Sequence, residues 1–298
     1  KIIKVLIFGA NGQLGQALSK LYKQDTFKVT ALSKEQCDIT KLHQVRELIC
    51  DSEFDCIINA AAYTNVDQAE ENYELSKLVN CESVKNISQC IEKSQTLLIH
   101  FSTDYVFDGE GKRPYRETDR ANPVNAYGKS KYEGENIIRS SNINYLLFRT
   151  SWVYNDTGNN FPNKILASLH AKKSMHVVDD QVGVPNYANQ IAETTYACLE
   201  KYFSYSDDMK KNTHGLYHMS SIGSVSWYNF AEYILDKYCA IRLNGSKYEI
   251  KPIKTSSFEC KAKRPLFSVL DSSKLSSTFD IDLPSWQDGA NQFVKSKL

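Results

Sequence analysis

The chain has 298 residues and a formal net charge of +1, with 42% hydrophobic and 24% charged residues. That length holds one large α/β domain, or a large one with a small second lobe. The near-neutral charge gives no basic field for nucleic acid and no acidic tail for a basic partner. No apolar run approaches the roughly 20 residues of a membrane helix, so neither nucleic acid nor membrane is an expected partner.

In chain order, "KVLIFG" (4–9) is a short apolar run of the kind that forms a buried parallel strand, and its place in "KIIKVLIFGANG" argues against a signal peptide. "QLGQALSKLYK" (13–23) follows with Leu14, Ala17, Leu18 and Leu21 at helical spacing. "FKVTALS" (27–33) predicts a second strand, "KLHQVRELIC" (41–50) a helix, and "CIINAAA" (56–62) a third strand. One helix is expected over about 73–93, then the strand "TLLIHFST" (96–103), a helix starting near Tyr127, and the strand region "NYLLFRTSWVY" (144–154). Alternation of this kind predicts an α/β fold, a Rossmann-type doubly wound parallel sheet with ligands at the carboxyl ends of its strands. The second half is less regular. The expected division is a dinucleotide-binding domain over 1–154, with later segments free to return to it, and a smaller mixed α/β substrate lobe over 155–298. "FSYSDDMKKN" (203–212) reads as a polar surface loop.

Eight cysteines show no C-x-x-C pair, which predicts free thiols in a reducing cytoplasm. His214 and His218 are four apart, but "HGLYHMSS" reads as turn then strand, so they do not share a helix face or form a metal site.

"IFGANGQLGQAL" places Gly9, Gly12 and Gly15 after a strand and at the opening of a helix. Glycines there allow a tight turn and close approach of backbone to a pyrophosphate, and the helix N-terminus offers free N–H groups to the anion. The context of strand, triplet and amphipathic helix makes this a dinucleotide-binding signal rather than a plain turn. An acidic residue ending the second strand would bind the adenosine ribose and favour NAD. The stretch is "ALSKEQ", with Ser33 and then Lys34. No carboxylate is expected to repel a 2′-phosphate and Lys34 is placed to pair with one, or else points to solvent; NADPH, or use of both NADPH and NADH, follows. Asp38 and Ile39 lie beyond this strand, where an adenine could rest; Asp38 as a helix cap is the alternative.

In "NPVNAYGKSKYEGE" (122–135) Tyr127 and Lys131 are four apart and share a helix face. A phenol titrates near 10, and a neighbouring ammonium favours the phenolate and lowers that value. The same lysine can hold a nicotinamide ribose. The strand ending "HFSTDYVF" brings Ser102 and Thr103 to a carboxyl end, so that Thr103, Tyr127 and Lys131 make the hydroxyl–tyrosine–lysine triad of short-chain dehydrogenases.

From "GANGQLG" (9–15) through "STDYVFDG" (102–109), "PVNAYGKSKYEGE" (123–135), "RTSWVY" (149–154) and "VVDDQVGVP" (177–185) to "RPLFSVLD" (264–271), the chain resembles the dTDP-4-dehydrorhamnose reductase family of the extended short-chain dehydrogenase/reductase superfamily. The resemblance implies reduction of the C4 ketone of dTDP-4-dehydro-L-rhamnose to dTDP-L-rhamnose, which would feed surface polysaccharide such as O antigen. It implies Tyr127 as proton donor, Lys131 lowering its pKa and holding the ribose, Thr103 at the carbonyl and Asp104 against the sugar. Gly12, Gln13 and Leu14 would cover the pyrophosphate, Asp38 and Ile39 the adenine, and Ala62, Tyr63 and Thr64 the cofactor cleft, with Phe101 nearby. Trp152 matches the family's sugar-contacting tryptophan, or is a core aromatic. Arg264 meets the diphosphate, or is an exposed charge near a domain seam. Family members often carry Asp at the position of Ser33, and "GVPN" with Asn186 replaces the usual G-x-P-T. The resemblance leaves room for a homodimer, and no carboxylate cluster demands the Mg²⁺ that some relatives use to dimerise. Two alternatives stand beside it: another reductase of 4-keto-6-deoxy nucleotide sugars, and a non-catalytic subunit resembling the regulatory subunit of methionine adenosyltransferase.

Overall fold

The computed structural model describes residues 1–50, 53–245 and 248–298. The first half alternates strand and helix: β1 (Ile3–Phe8), α1 (Gln13–Lys20), β2 (Phe27–Leu32), α2 (Leu42–Cys50), β3 (Cys56–Asn59), α3 (Val66–Glu71), α4 (Tyr73–Lys77), α5 (Ser83–Ile91), β4 (Leu97–Thr103), α6 (Ala126–Ser140) and β5 (Asn144–Thr150). The second half contributes β6 (Val153–Tyr154), α7 (Phe161–His170), β7 (Met175–Val178), β8 (Val182–Gly183), β9 (Asn186–Tyr187), α8 (Ala188–Ser204), α9 (Asp207–Thr213), β10 (Gly215–His218), β11 (Val225–Ser226), α10 (Trp227–Arg242), β12 (Ile250–Ile253), α11 (Ser273–Phe279) and α12 (Trp286–Lys295).

Six strands form one parallel sheet in the order β10-β5-β4-β3-β1-β2. Successive side chains of a strand point to opposite faces, and β1 uses both. Ile3, Val5 and Ile7 pack with α1 and α8, whereas Leu6 and Phe8 pack with α2, α5 and Ile138 of α6. Both faces are therefore covered, which is why these strands read as continuous apolar runs. β1 lies between β2 and β3, so the strand order reverses there and a crevice opens beyond their carboxyl ends.

Three later segments return to the first half's sheet. Helix α8 packs Ala188, Ile191, Ala192 and Leu199 against it, β10 pairs with β5, and α11 adds Leu275 and Phe279. A second core gathers α7, α10 and α12 around Tyr154, Phe230, Trp286 and Phe293. Among the described residues no helix is long and apolar enough to cross a membrane, and no group of three or more His, Cys, Asp or Glu side chains is arranged to hold a metal ion.

Two elements differ from the sequence expectation. The helix expected over 73–93 is interrupted by a π-helical turn at Leu78–Glu82. That turn presents Asn80 to the loop after β3: its Oδ1 accepts from Tyr63 N at 2.9 Å and its Nδ2 donates to Tyr63 O at 3.0 Å. The segment read as a loop over 203–212 contains α9. Ser206 caps it, with Asp207 and Asp208 in its first turn and Lys210 and Lys211 in its last, a charge order that complements the helix dipole.

The glycine turn after β1 is dictated by space. Gly9 has φ +84°, and a Cβ there would lie 2.6 Å from Ala61 N. A Cβ on Gly15 would lie 1.9 Å from the Gly9 carbonyl oxygen. Gly15→Ala is therefore expected to lift α1 off the turn at a cost of about 1–3 kcal/mol, read as a lower denaturation midpoint together with weaker dinucleotide binding. An unchanged midpoint would show that the turn tolerates the methyl.

Candidate active site

Two adjoining cavities open at the carboxyl edge of the sheet. The first, of about 640 Å³, begins at Gly9, Gly12, Gln13 and Leu14. It passes Lys34, Asp38 and Ile39 at one end and Ala62, Tyr63, Thr64 and Phe101 along the floor, and reaches Tyr127 and Lys131. The second, of about 330 Å³, is walled by Thr103, Asp104, Tyr105, Trp152 and Trp227. Tyr127 belongs to the wall of both.

Local sequence explains why Tyr127 stands there. Asn125 caps α6, its Oδ1 accepting from Gly128 N at 2.8 Å. Gly128 has no side chain because a Cβ would lie 2.1 Å from the Tyr105 carbonyl oxygen. The first turn of α6 thus rests on the 3₁₀ turn Asp104–Val106 that ends β4, and Tyr127 falls beside Thr103. The Tyr105 and Tyr127 rings meet edge to face, with centroids 6.0 Å apart.

Lys131, one turn on, is buried. Its Nζ donates to the Phe101 carbonyl at 2.5 Å and lies 3.5 Å from His100 Nε2. Burial lowers the Lys131 pKa to about 8, against the opposing charge of Glu135. Burial also holds His100 well below its ordinary value, hence neutral beside that amine. The Thr103 hydroxyl donates to Asp104 Oδ1 at 3.1 Å and accepts from Tyr105 N at 3.1 Å. Burial pushes Asp104 up to about 7, against the pull of the Ser268 and Thr103 hydroxyls nearby.

Here the structure differs from the expectation that Lys131 lowers the Tyr127 pKa. Burial pushes the Tyr127 phenol up to about 12; the nearby Thr103 hydroxyl pulls it down, and the Asp104 charge adds to the rise. The Lys131 ammonium is directed to the Phe101 carbonyl, so the group that tempers the phenol is a neutral hydroxyl.

Other site residues separate into those that line a cavity and those that do not. Gly15 packs under the turn rather than lining the cleft. Ser33 is buried behind it, and its proximity helps hold the Glu35 carboxyl below its usual range. Glu35 itself lines the cleft beside Lys34, which corrects the expectation that no carboxylate stands there: the turn after β2 carries both signs. Asp38 lines the cleft and closes its own turn by accepting from Thr40 N and Thr40 Oγ1 at 3.0 and 2.7 Å, so it does not cap a helix. Arg264 lines neither cavity. Its Nη1 and Nη2 donate to the two oxygens of Asp67 at 3.2 and 2.7 Å, an ion pair joining α3 to the chain after β12. Asn186, the departure in "GVPN", is also outside both cavities. Its amide ties Ser151, Val184 and Ser221 together in the core.

Trp152 lines the second cavity with φ +44°, a left-handed conformation that side chains rarely adopt. Its indole stacks on Trp227 with centroids 3.5 Å apart, and Gly183 makes room, since a Cβ there would meet the ring at 2.6 Å.

Sequence reasoning did not single out Trp227, His100, or the buried set behind the site. Glu135, the next residue on the Lys131 face of α6, accepts from Ser102 Oγ at 2.5 Å, from Arg149 Nε at 2.8 Å and from Arg149 Nη2 at 2.6 Å. Phe101 and Ser102 of β4 thus dock two successive turns of α6, and Arg149 is the β5 residue paired with Ser102. The spacing Tyr127, Lys131, Glu135 was the available signal, three residues at intervals of four.

Fold and site together define a Rossmann-type protein whose hydroxyl, tyrosine and lysine meet at the edge of a dinucleotide-sized cleft. A family model described as the RmlD substrate binding domain matches residues 3–298. The chain is 36% identical over 303 residues to a dTDP-4-dehydrorhamnose reductase of Burkholderia thailandensis, covering 99% of each chain. It is 33% identical over 295 residues to the enzyme of that name from Salmonella typhimurium, covering 98% of this chain and 97% of the other. Among solved structures, a dTDP-4-dehydrorhamnose reductase of Bacillus anthracis in complex with NADP superposes with a TM-score of 0.89 at 31% identity, covering 98% and 99% of the two chains. The chain belongs to this RmlD family, that of the dTDP-4-dehydrorhamnose reductases.

Proposed function

We propose that the protein reduces the C4 ketone of dTDP-4-dehydro-L-rhamnose to dTDP-L-rhamnose, using NADPH and, less tightly, NADH. One observation carries this reading: Tyr127 stands in the wall common to a glycine-floored cleft and a second, aromatic-walled cavity. A proton donor at that junction can reach a ketone on one side while a dinucleotide fills the other.

The first cleft fits a dinucleotide. Gly9 and Gly15 leave no room for side chains at the turn, Gly12 begins α1, and Leu14 and Gln13 lie beside the helix N-terminus, where an anion is favoured. Gly12, Gln13 and Leu14 would hold the pyrophosphate, Asp38 and Ile39 the adenine, and Lys131 the nicotinamide ribose. A reduced nicotinamide bound there supplies the hydride. Tyr127, held in its neutral form by burial, gives a proton to the substrate oxygen. Thr103 directs its hydroxyl toward the same oxygen. Trp152 and Trp227 bound the sugar and exclude water, and the second lobe supplies Trp227.

The eight free cysteines suit a reducing compartment, so the proposed setting is the cytoplasm. A homodimer belongs to the same proposal.

The test is direct. Purified protein with NADPH and the 4-keto dTDP-sugar is expected to consume NADPH; cofactor binding without consumption would favour a non-catalytic subunit. Cofactor choice has its own test at the turn after β2, where Lys34 and Glu35 both face the cleft. Lys34→Ala is expected to weaken NADPH by roughly tenfold and NADH by much less, measured as dissociation constants. Equal losses would show that Lys34 does not read the 2′-phosphate.

A further inference from the structure

Asp104 has a setting that contact with a sugar does not explain. It is 2% exposed, in the wall of the second cavity, and its Oδ2 is buried without a hydrogen-bond partner among the described residues. Its Oδ1 lies 3.1 Å from Thr103 Oγ1, and the Thr103 hydroxyl is near enough to the Tyr127 phenol to pull its pKa down. The Tyr105 N–H fixes Thr103 Oγ1 from behind at 3.1 Å. Carboxyl, hydroxyl and phenol therefore follow one another in the wall of the second cavity. Lys131, the other candidate to recharge the phenol, directs its Nζ at the Phe101 carbonyl.

Resting on the reductase reading above, we propose that Asp104, as a protonated carboxyl, recharges Tyr127 through the Thr103 hydroxyl after each reduction. When Tyr127 protonates the reduced substrate oxygen, the phenol O–H breaks and the product O–H forms. The Thr103 hydroxyl proton then passes to the phenolate oxygen, and the Asp104 proton passes to Thr103 Oγ1. Thr103 ends unchanged and Asp104 ends as a carboxylate, which takes a proton from water once the product leaves the cavity. The only redox change is ketone to alcohol, with the hydride from the dinucleotide. Thr103 Oγ1 has the capacity for this: it accepts from Tyr105 N, and once Asp104 carries a proton the bond to Oδ1 reverses, so that Thr103 accepts from the carboxyl and donates to the phenolate.

The acidities run the right way, since burial raises the carboxyl to about 7 and the phenol to about 12, so the proton moves from the stronger acid to the stronger base. The titratable groups that feel the Asp104 charge are Tyr127 on α6 and Tyr105 beside it. Ser268, from the chain after β12, and Thr103 present neutral hydroxyls. The Arg264 guanidinium meets Tyr105 and is paired with Asp67.

Asp104→Asn keeps the shape and removes the transferable proton. In the wild type the donor form is lost as pH rises, so kcat is expected to fall above about pH 7. In Asp104→Asn, kcat is expected to drop at least about tenfold and to lose that descending limb, while KM changes little. Thr103→Val breaks the same chain and keeps the carboxyl in place. It is expected to lose turnover while a carboxyl resonance, followed by carbon NMR in the protein without cofactor, still titrates at about 7 or above, since the hydroxyl that pulls it down is gone; that resonance is expected to be missing from Asp104→Asn. An Asp104→Asn enzyme that keeps the descending limb, or that only raises KM, overturns the proposal, as does a wild type with no carboxyl titrating above about 5. A wild type that consumes no NADPH removes the reductase reading and this inference with it; a working wild type beside an unaltered Asp104→Asn removes the inference alone.

Discussion

Tyr127→Phe is expected to lose about 10²–10⁴-fold in turnover while keeping its hold on the dinucleotide. The phenol stands in the wall common to both cavities, and it is a far stronger acid than the aliphatic hydroxyls that share that wall. With burial holding it at about 12, it is neutral at working pH and reaches the substrate with its proton in place. Removing only the oxygen leaves the ring, and with it the edge-to-face contact with Tyr105. Neither the cap at Asn125 nor the seat of Gly128 on the 104–106 turn is touched. The variant should therefore fold and bind normally, so that the loss falls on kcat. NADPH consumption with the 4-keto sugar measures the rate, and cofactor fluorescence measures binding. A rate near that of the wild type would remove Tyr127 as the acid.

Glu135→Ala is expected to have the largest effect on stability, about 3–5 kcal/mol. Glu135 and Arg149 are both fully buried and bonded through two contacts, with Ser102 as a third partner. A buried pair is itself weak evidence of stability, because both charges have been taken out of water. Removing one partner is another matter: the Arg149 guanidinium stays in the core with its charge uncompensated. Its Nη1 already lacks a partner among the described residues, and its remaining neighbour of note is the Phe107 ring at 5.1 Å. A chain of this size should lose on the order of 10 °C in melting temperature, and urea unfolding gives the free energy directly. Replacing both residues by apolar ones of similar volume should restore much of the loss, since no charge is then stranded. A Glu135→Ala midpoint within about 1 kcal/mol of the wild type would show that water or a rearranged side chain reaches Arg149.

Much of the architecture was legible in the sequence because the sheet is parallel and covered on both faces. Runs such as "VLIF", "CII" and "LLI" must be apolar throughout, and the helices between them carry one apolar stripe each. The glycine turn was legible for a related reason: backbone passes within van der Waals distance of backbone at Gly9 and Gly15, and no other residue type fits. Tyr127 and Lys131 were legible through their spacing, because a helix of known pitch converts four residues into one face.

The π-helical turn at Leu78–Glu82 was not legible, since its cause is a long-range clamp by Asn80 on Tyr63 rather than any local propensity. Nor was α9, whose signal was a cap and an ordered charge pattern without an apolar stripe. Arg264 was placed by resemblance near a diphosphate, or as an exposed charge near a domain seam; no local pattern announced that the fold brings Asp67 to it from 197 residues away. Charges such as Glu135 and Arg149 look like solvent-facing residues in a one-dimensional reading, and only their partner in space makes burial affordable.

The sequence by itself determined the order of strands and helices, the glycine turn after β1 and the helix face that carries Tyr127 and Lys131, because each follows from periodicity or from a steric need within a few residues. Tertiary structure alone decided the electrostatics: that the lysine points its ammonium at the Phe101 carbonyl, that a hydroxyl tempers the phenol, and that burial pushes Asp104 up to about 7. The physical reason is that acidity depends on how much water each group has lost and which dipoles replace it, and those neighbours come from strands and turns far apart in the chain.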